Sequence, residues 1–320
     1  MITAALAGLG NVAWKYDKNN PDAAHALSQA GAMLAHPDVR LAGGCSPDAA
    51  DRTGFTEWSR GVPAFATLEE MLETLRPDLV GICSPTADHF DHARQCLEKG
   101  VRLVWLEKPP TARFHELEQL TLLARETGAT VCVNYFRRYL PVYQRLRELV
   151  LSDAFGTCRL LRVLYSPGLA RNGIHFLDQI FFLTGATSCT LLWVERKSTL
   201  SPSFAVELST GLLVAVNGSD VPYHTNDMSF ICDEGVLSVL DGGRRMRVER
   251  CVEQDLFPGF YERREVETAM AGRYDFDRHM EAALADLVES GTARRPPASN
   301  LESAMLAQSL LRDVLVGAGQ

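Results

Sequence analysis

The chain has 320 residues, of which 46% are hydrophobic and 22% charged, and its formal net charge is −8. This length is about twice that of an ordinary domain, so we expect two domains. The acidic balance argues against nucleic acid as a partner. The sequence shows neither a secretory leader nor a long apolar run of roughly 18 residues, which favours a cytoplasmic protein without a membrane partner.

The first part of the chain alternates strand-like runs with amphipathic helical stretches, the pattern of a doubly wound parallel Rossmann sheet. The predicted strands are Ile2–Ala7, Val39–Gly44, Leu79–Cys83, Val101–Leu106 and Thr130–Asn134. The predicted helices are Ala23–Ala35, Thr67–Leu75, His89–Lys99 and Phe114–Thr127. We therefore predict a dinucleotide-binding Rossmann domain over residues 1–135.

The second part changes to strand after strand, with turn signals between them, which predicts a large open and mainly antiparallel sheet. Its predicted strands are Arg159–Tyr165, Thr190–Val194, Phe204–Leu208, Leu212–Asn217, Ser229–Cys232, Val236–Asp241 and Arg244–Glu249. Its predicted helices are Ile174–Thr184, Asp275–Glu289 and Leu301–Val316. Residues 136–320 are thus expected to form an α+β domain for substrate binding and oligomerisation, whose last helix packs back on the first domain.

Eight cysteines are scattered singly along the chain, mostly within apolar stretches. They lack the paired spacing, with nearby histidines, that a metal site requires. We therefore expect buried free thiols and no metal.

The first strand runs directly into a glycine-rich turn, Gly8-Leu9-Gly10-Asn11-Val12-Ala13. In this pattern Gly8 permits a tight turn, Gly10 lets the backbone approach a pyrophosphate, and Ala13 lets the following helix pack closely. The phosphates would lie at the helix N-terminus. The turn predicts an NAD or NADP site that includes Gly8, Gly10, Asn11 and Val12.

The end of the second strand leaves the choice between the two cofactors open. Ser46 is neutral where a carboxylate that bonds the ribose 2′-hydroxyl would indicate NAD. No arginine follows at once to hold a 2′-phosphate, and Asp48 is close enough in sequence to reach the ribose.

Several short motifs occur in a fixed order along the chain: Ser84-Pro85-Thr86 with His89, Glu107-Lys108-Pro109, Asn134-Tyr135-Phe136-Arg137-Arg138, Gly156, and Asn172-Gly173 with His175 and Asp178. Together with the glycine-rich turn, they resemble the Gfo/Idh/MocA family, which contains glucose-fructose oxidoreductase and inositol dehydrogenase. The resemblance covers nearly the whole chain. It implies an NAD(P)-dependent dehydrogenase or reductase that acts on the CH–OH group of a sugar, sugar derivative or cyclitol.

The resemblance also implies that Lys108 and His175 are the catalytic residues, on either side of the substrate carbon. Alcohol oxidation needs a base for the hydroxyl proton and a donor for the developing oxyanion, and a histidine and a lysine suit these roles. It further implies a cofactor edge formed by Ser84, Pro85, Thr86, His89, Glu107, Lys108, Asn134 and Arg137. Glu107 would orient the local backbone or Lys108, or would be an ordinary salt-bridge partner. Ser46, at the end of the second strand, is a further candidate cofactor residue.

Candidate substrate contacts are Lys108, Tyr165, Arg171, Asn172, His175 and Asp178. Many family members carry an aspartate four residues before the histidine, where this chain has Arg171. Either Arg171 binds an anionic substrate, or it faces solvent and Asn172 supplies the hydrogen bond. For Tyr165, a half-buried residue of the sheet is the favoured alternative. Asp178 either holds a tautomer of the histidine or caps the local backbone.

Two other functions stay open, because relatives of this kind include a dinucleotide-sensing repressor and NAD-dependent glycoside hydrolases. The open face of the second sheet is expected to be covered in a homodimer or homotetramer.

Overall fold

The computed structural model describes residues 1–195, 200–270 and 278–319. The chain divides into two compact units. The first contains Met1–Phe136 with Asp277–Met305, and the second contains Arg137–Phe276 with Leu306–Gln320.

The first unit is built on a six-stranded sheet in the order β3-β2-β1-β4-β5-β6, in which all neighbours are parallel. The strands are β1 (Ile2–Ala7), β2 (Val39–Cys45), β3 (Ala64–Phe65), β4 (Leu79–Ile82), β5 (Leu103–Leu106) and β6 (Thr130–Val133). The central strands are buried along their whole length, as expected for strands covered by helices on both faces. The predicted doubly wound Rossmann sheet is confirmed.

Short helices connect these strands: α1 (Tyr16–Asn19), α2 (Gln29–Ala35), α3 (Ala49–Trp58), α4 (Leu68–Leu75), α5 (Thr86–Glu98) and α6 (Phe114–Thr127). A π-helical turn, Asn11–Lys15, precedes α1. The helix α9 (His279–Ala293) packs against β5 and β6. The N-terminal end of α10 (Leu301–Ala318) contacts α6, where Arg125 pairs with Glu302 at 3.1 Å.

The second unit is built on an eight-stranded sheet in the order β14-β13-β12-β11-β7-β10-β9-β8. Its strands are β7 (Cys158–Ser166), β8 (Cys189–Val194), β9 (Phe204–Leu208), β10 (Leu213–Gly218), β11 (Thr225–Cys232), β12 (Gly235–Leu240), β13 (Arg245–Glu253) and β14 (Tyr261–Met270). Only the β7–β10 pair is parallel within this sheet. The mainly antiparallel sheet is therefore also confirmed.

Two further helices belong to the second unit, α7 (Pro141–Leu151) and α8 (Ile174–Thr184). The bounds of α8 are those predicted, since Gly185 ends it in the left-handed conformation, with φ of 68°. Nearly every residue of α8 is buried, so the helix lies in the core rather than on the surface.

The sequence patterns missed α3, α7, β3 and β14. The helix α3 has a weak apolar face and depends on its N-cap, Asp48. Strand β14 is a charged edge strand, and such strands lack the alternation by which buried strands are recognised. The predicted helix Ala23–Ala35 begins only at Gln29, and residues 275–277 of the predicted helix Asp275–Glu289 lie outside the described residues.

The prediction of eight buried free thiols is wrong for half of them. Cys158 and Cys232 form a disulfide, because their positions face each other on β7 and β11. Cys251 is exposed and Cys189 half-buried, whereas Cys45, Cys83, Cys96 and Cys132 are free and buried. Within residues 1–195, 200–270 and 278–319, the helices lack the combination of length and apolar character that crossing a bilayer requires.

Candidate active site

The glycine-rich turn lies where the strand order of the first sheet reverses, between β1 and β4. Gly8 has φ of 91°, and a Cβ on it would lie 2.5 Å from the Ser84 backbone nitrogen. Its own N–H donates to the Cys45 carbonyl at 2.9 Å. Only glycine fits this position. Through Gly8, the turn after β1 contacts the carboxyl ends of β2 and β4.

Gly10 differs from Gly8, because a Cβ at Gly10 would meet nothing within 4 Å. Its φ of −85° is open to any residue. Among the residues that the structure describes, no side chain caps the helical turn that begins at Asn11, and the first turn itself carries no acidic residue. Space beside the backbone at an uncapped helical N-terminus is what a dinucleotide pyrophosphate requires, so the residues present fit this cofactor.

Asn11 and Val12, the other predicted cofactor residues of this turn, are exposed and half-buried. Ala13 is fully buried, as the close packing of the turn on the sheet requires.

The end of β2 carries the residues that decide between the two cofactors. Ser46 is buried, and its Oγ accepts a hydrogen bond from the Asp48 backbone nitrogen at 3.2 Å. The Asp48 carboxylate accepts from the backbone nitrogens of Ala50 and Asp51 and thereby caps α3. These hydrogen bonds lower the pKa of Asp48.

The predicted edge residues Ser84, Pro85 and Thr86 follow β4, with Pro85 as the N-cap of α5. His89 is buried on α5, and its two ring nitrogens lie 2.8 Å from the Pro109 carbonyl and 2.9 Å from the Ser84 carbonyl. Burial lowers the pKa of His89. The imidazole thus joins two loops of the edge. Its contact with a cofactor stays a prediction.

Lys108 follows β5 at the same carboxyl edge, half-buried and joined to Pro109 by a cis peptide bond. Its neighbour Glu107 is buried, and its Oε1 accepts from Asn134 Nδ2 at 2.6 Å and from Gln29 Nε2 at 3.0 Å. Gly81 makes room for this arrangement, because a Cβ there would collide with Gln29 Oε1.

The contacts of Glu107 change the interpretation of two predicted cofactor residues. Burial raises the pKa of Glu107, and the two amide donors and the nearby Lys108 oppose that rise. The side-chain oxygens of Gln29 and Asn134 are buried and have no hydrogen-bond donor among the described residues. Glu107 and Asn134 therefore bond each other inside the unit.

In the second unit, His175 lies in the first turn of α8 and is buried. Asp178, one turn later, bonds Arg138 with both carboxylate oxygens, at 2.8 Å to Nε and 2.6 Å to Nη2. Burial raises the pKa of Asp178 and the Arg138 guanidinium opposes it. Both carboxylate oxygens of Asp178 are thus engaged by Arg138. Its substrate contact stays a prediction.

Arg137 belongs to the same buried polar region. It is buried in the 3₁₀ turn Phe136–Tyr139, where burial lowers its pKa and Tyr143 on α7 opposes this effect. On α8, Gln179 accepts a long hydrogen bond of 3.5 Å from Asn226 of β11.

The remaining predicted substrate contacts flank the start of α8. Tyr165 is buried and packs against Phe176, with the ring centroids 4.6 Å apart and the ring planes tilted by 44°. Its hydroxyl donates to the Pro202 carbonyl at 2.8 Å. This places it in the sheet core, the alternative considered above. Asn172 donates to the Pro167 carbonyl at 3.0 Å, whereas Arg171 is exposed.

Residues 5–135 match a family described as an oxidoreductase family with an NAD-binding Rossmann fold. For this part of the chain, the match confirms the predicted resemblance to the Gfo/Idh/MocA family. The NAD-binding fold of the matched family agrees with the predicted cofactor class, NAD or NADP.

Among the characterised proteins to which this chain is similar, D-glucoside 3-dehydrogenase of Escherichia coli is 27% identical over 167 residues, 46% of this chain and 47% of the relative. The scyllo-inositol 2-dehydrogenase (NADP+) of Bacillus subtilis is 26% identical over 194 residues, 51% of this chain and 54% of the relative. The chain thus spans about half the length of the relatives it matches. A dehydrogenase structure from Chromobacterium violaceum superposes with a TM-score of 0.80 at 18% identity, covering 100% of this chain and 96% of that one, and shows the same fold.

The sequence predicted the candidate site residues that follow the strands. It did not predict the residues that form hydrogen bonds or ion pairs with them. Gln29 lies in a predicted helix 78 residues before Glu107, so no local signal connects the two. Arg138 stands within a motif that was recognised, but its pairing with Asp178 depends on the fold. Arg52, which donates to the Ser46 carbonyl at 2.7 Å, lies in the helix that the patterns missed.

Proposed function

We propose that this protein is an NAD(P)-dependent oxidoreductase that transfers a hydride between the nicotinamide and a hydroxyl-bearing carbon of a sugar, sugar derivative or cyclitol. One observation carries the proposal. The Gly8–Gly10 turn, with open space at Gly10, shares the carboxyl edge of one parallel sheet with Lys108. Ligands bind open α/β sheets at this edge. The substrate class is that of the two relatives, whose names specify a glucoside and an inositol.

The chain's own residues supply the proton chemistry of this proposal. When bound, the oxidised nicotinamide accepts the hydride. Lys108 donates a hydrogen bond to the reacting oxygen and stabilises its developing negative charge. His175 takes the hydroxyl proton as general base, or returns it in the reverse direction.

Substrate recognition is assigned to the residues before α8. Arg171 is exposed, so a charged or polar substituent of the substrate can reach its guanidinium. The Asn172 amide nitrogen is engaged with Pro167, which leaves its side-chain oxygen as the acceptor for a substrate hydroxyl. We propose both as specificity residues.

The experiment is a turnover assay with the purified chain, both dinucleotides and a panel of sugars, glucosides and inositols, followed by the absorbance of the reduced nicotinamide. The variant Lys108→Ala is expected to lose activity by roughly 10²- to 10⁴-fold while still binding dinucleotide. Lys99→Ala is the matched control, because Lys99 is an exposed lysine of the same unit that pairs with Glu73 at 3.0 Å.

Full activity in Lys108→Ala would contradict the assigned role of the lysine. Tight dinucleotide binding without turnover on any substrate would favour a sensing function instead. Release of sugar from a glucoside without net reduction of the cofactor would favour glycoside hydrolysis.

We also propose that the outer face of the second sheet binds a second copy of the chain. Leu160 lies opposite Leu213 on one side and Ile231 on the other, and Leu164 follows on the same face. Leu164 and Leu213 are each 45% exposed. The exposed Arg162 lies between Leu160 and Leu164 on the same face. Exposed apolar side chains interspersed with polar ones are typical of homo-oligomer interfaces. Light scattering is expected to give a dimer or tetramer, and a monomer at all concentrations would contradict this proposal.

A further inference from the structure

The residues that follow β2 differ from those that an NAD-specific site requires. We infer that Ser46 and Arg52 make the site select NADP over NAD by binding the ribose 2′-phosphate. This inference rests on the proposed dinucleotide-dependent function and adds the choice of cofactor, which the sequence leaves open.

The position of the β2 end supports this assignment. Strand β2 ends at Cys45, whose carbonyl accepts from the Gly8 N–H at 2.9 Å. Ser46, the next residue, therefore lies beside the turn at Gly8 and Gly10 that is proposed to bind the pyrophosphate. In dinucleotide-binding Rossmann sheets this is the place where the adenosine ribose lies and where its 2′ substituent is recognised.

Ser46 provides a hydroxyl where an NAD site has a carboxylate. Its side chain is only 6% exposed, and its Oγ accepts from the Asp48 nitrogen. The hydroxyl proton has no acceptor within residues 1–195, 200–270 and 278–319, so Ser46 retains a donor for a phosphate oxygen. A neutral donor at this position also avoids the repulsion that an aspartate would exert on a phosphate.

Arg52 provides the positive charge. Its Nη1 donates to the carbonyls of Ser46 at 2.7 Å and Pro47 at 2.9 Å, which fixes the guanidinium at the strand end. The Nε and Nη2 groups have no acceptor in the described part of the chain. A planar guanidinium held by one nitrogen presents the other two as a fork, the geometry that binds phosphate oxygens bidentately.

The nearby carboxylates are already engaged. Asp48, the acid that would bond a 2′-hydroxyl, accepts from the Ala50 nitrogen at 2.7 Å and the Asp51 nitrogen at 3.1 Å. Asp51 pairs with Lys15 at 2.6 Å. The helix N-terminus and Lys15 offset part of the charge of these acids, and Arg52 also helps to lower the pKa of Asp48. The Nε and Nη2 groups of Arg52 still point to no acceptor among the described residues and are available to a ligand.

The test is a calorimetric titration of the purified chain with NADP+ and NAD+, and with adenosine 2′,5′-bisphosphate and AMP as fragments. We expect the 2′-phosphorylated ligand of each pair to bind roughly tenfold or more tightly, as a charge-assisted pair provides. Arg52→Gln should remove most of this preference while changing NAD+ affinity by less than about twofold. Ser46→Asp should reverse it.

Two control variants separate a specific contact with the 2′-phosphate from a general effect of charge. Arg52→Lys keeps the charge but loses the fork, so it should retain part of the preference. Arg40→Gln removes an arginine at the other end of β2, where it donates to Thr3 Oγ1 at 3.2 Å, and should change neither affinity. Thermal unfolding of each variant checks that the sheet is intact.

Equal affinities for NADP+ and NAD+ would overturn the inference while leaving the proposed function in place. The inference would also be overturned if Arg52→Gln weakened both dinucleotides equally. If the folded wild-type chain bound neither dinucleotide, the proposed function itself would be contradicted together with the inference.

Discussion

Each proposed catalytic residue has a buried carboxylate close to it in sequence, and the two units stabilise these carboxylates differently. Glu107, next to Lys108, accepts hydrogen bonds from two neutral amides, Gln29 and Asn134. Asp178, one helical turn after His175, forms a bidentate ion pair with Arg138.

The difference is one of charge compensation. A guanidinium cancels the charge of Asp178, so the pair is neutral as a whole and depends on both partners. Two amide dipoles and the nearby Lys108 stabilise the charge of Glu107, but burial outweighs them and its pKa is raised. We infer that the Asp178–Arg138 ion pair fixes the position of α8, whereas Glu107 is a titratable group beside Lys108.

The largest expected effect follows from removing the cation of the ion pair. In Arg138→Met, Asp178 is left as a buried carboxylate without its guanidinium, and we expect the free energy of unfolding to fall by about 3–5 kcal/mol. Urea denaturation followed by circular dichroism measures this change.

The double variant Arg138→Met with Asp178→Leu is the control, because it removes both charges together. It should recover most of the lost stability. A loss below about 1 kcal/mol in the single variant would show that the ion pair does not hold α8 in place.

A smaller effect, with a distinct pH dependence, is expected at Glu107. Burial raises its pKa above the ordinary value of 4.5, so the folded state binds the proton more tightly than the unfolded state. The stability that this group contributes is then full below its ordinary pKa and is lost as the pH rises through the higher folded pKa. Glu107→Gln cannot titrate, so its stability relative to the wild type should increase as the pH rises from about 4 towards neutral.

Urea denaturation of the wild type and Glu107→Gln at a series of pH values measures this difference. Glu73→Gln is the control, because Glu73 is an exposed glutamate of the same unit. A difference that is flat or falls with rising pH would mean that the amides fully compensate the charge of Glu107.

The parts of the structure that the sequence predicted are those with local signals. The turn at Gly8 and Gly10 and the position of Lys108 at a strand end follow from the order of apolar runs and glycines. Helix α8 has its predicted bounds because Gly185 marks its end locally. The Rossmann and antiparallel sheets were predicted for the same reason, from the spacing of their strands.

The partners of the buried polar groups were not predictable, because they come from distant positions. Glu107 meets Gln29 from 78 residues away, Asp178 meets Arg138 from 40 residues away, and Cys158 meets Cys232 from 74 residues away. Such pairings depend on sheet register and helix packing, which composition and periodicity do not specify. Asp178 and Tyr165 were therefore predicted as substrate contacts although their polar atoms bond inside the protein.

The most direct test of a dinucleotide site at this sheet edge is the affinity of Gly10→Ala for NAD+ and NADP+. An alanine Cβ at Gly10 would meet no protein atom within 4 Å, and its φ of −85° is unstrained, so the variant should fold as the wild type does. The added methyl would occupy space that the pyrophosphate needs, and we expect both affinities to fall by roughly tenfold or more. Unchanged affinity for both dinucleotides in the folded variant would contradict the site.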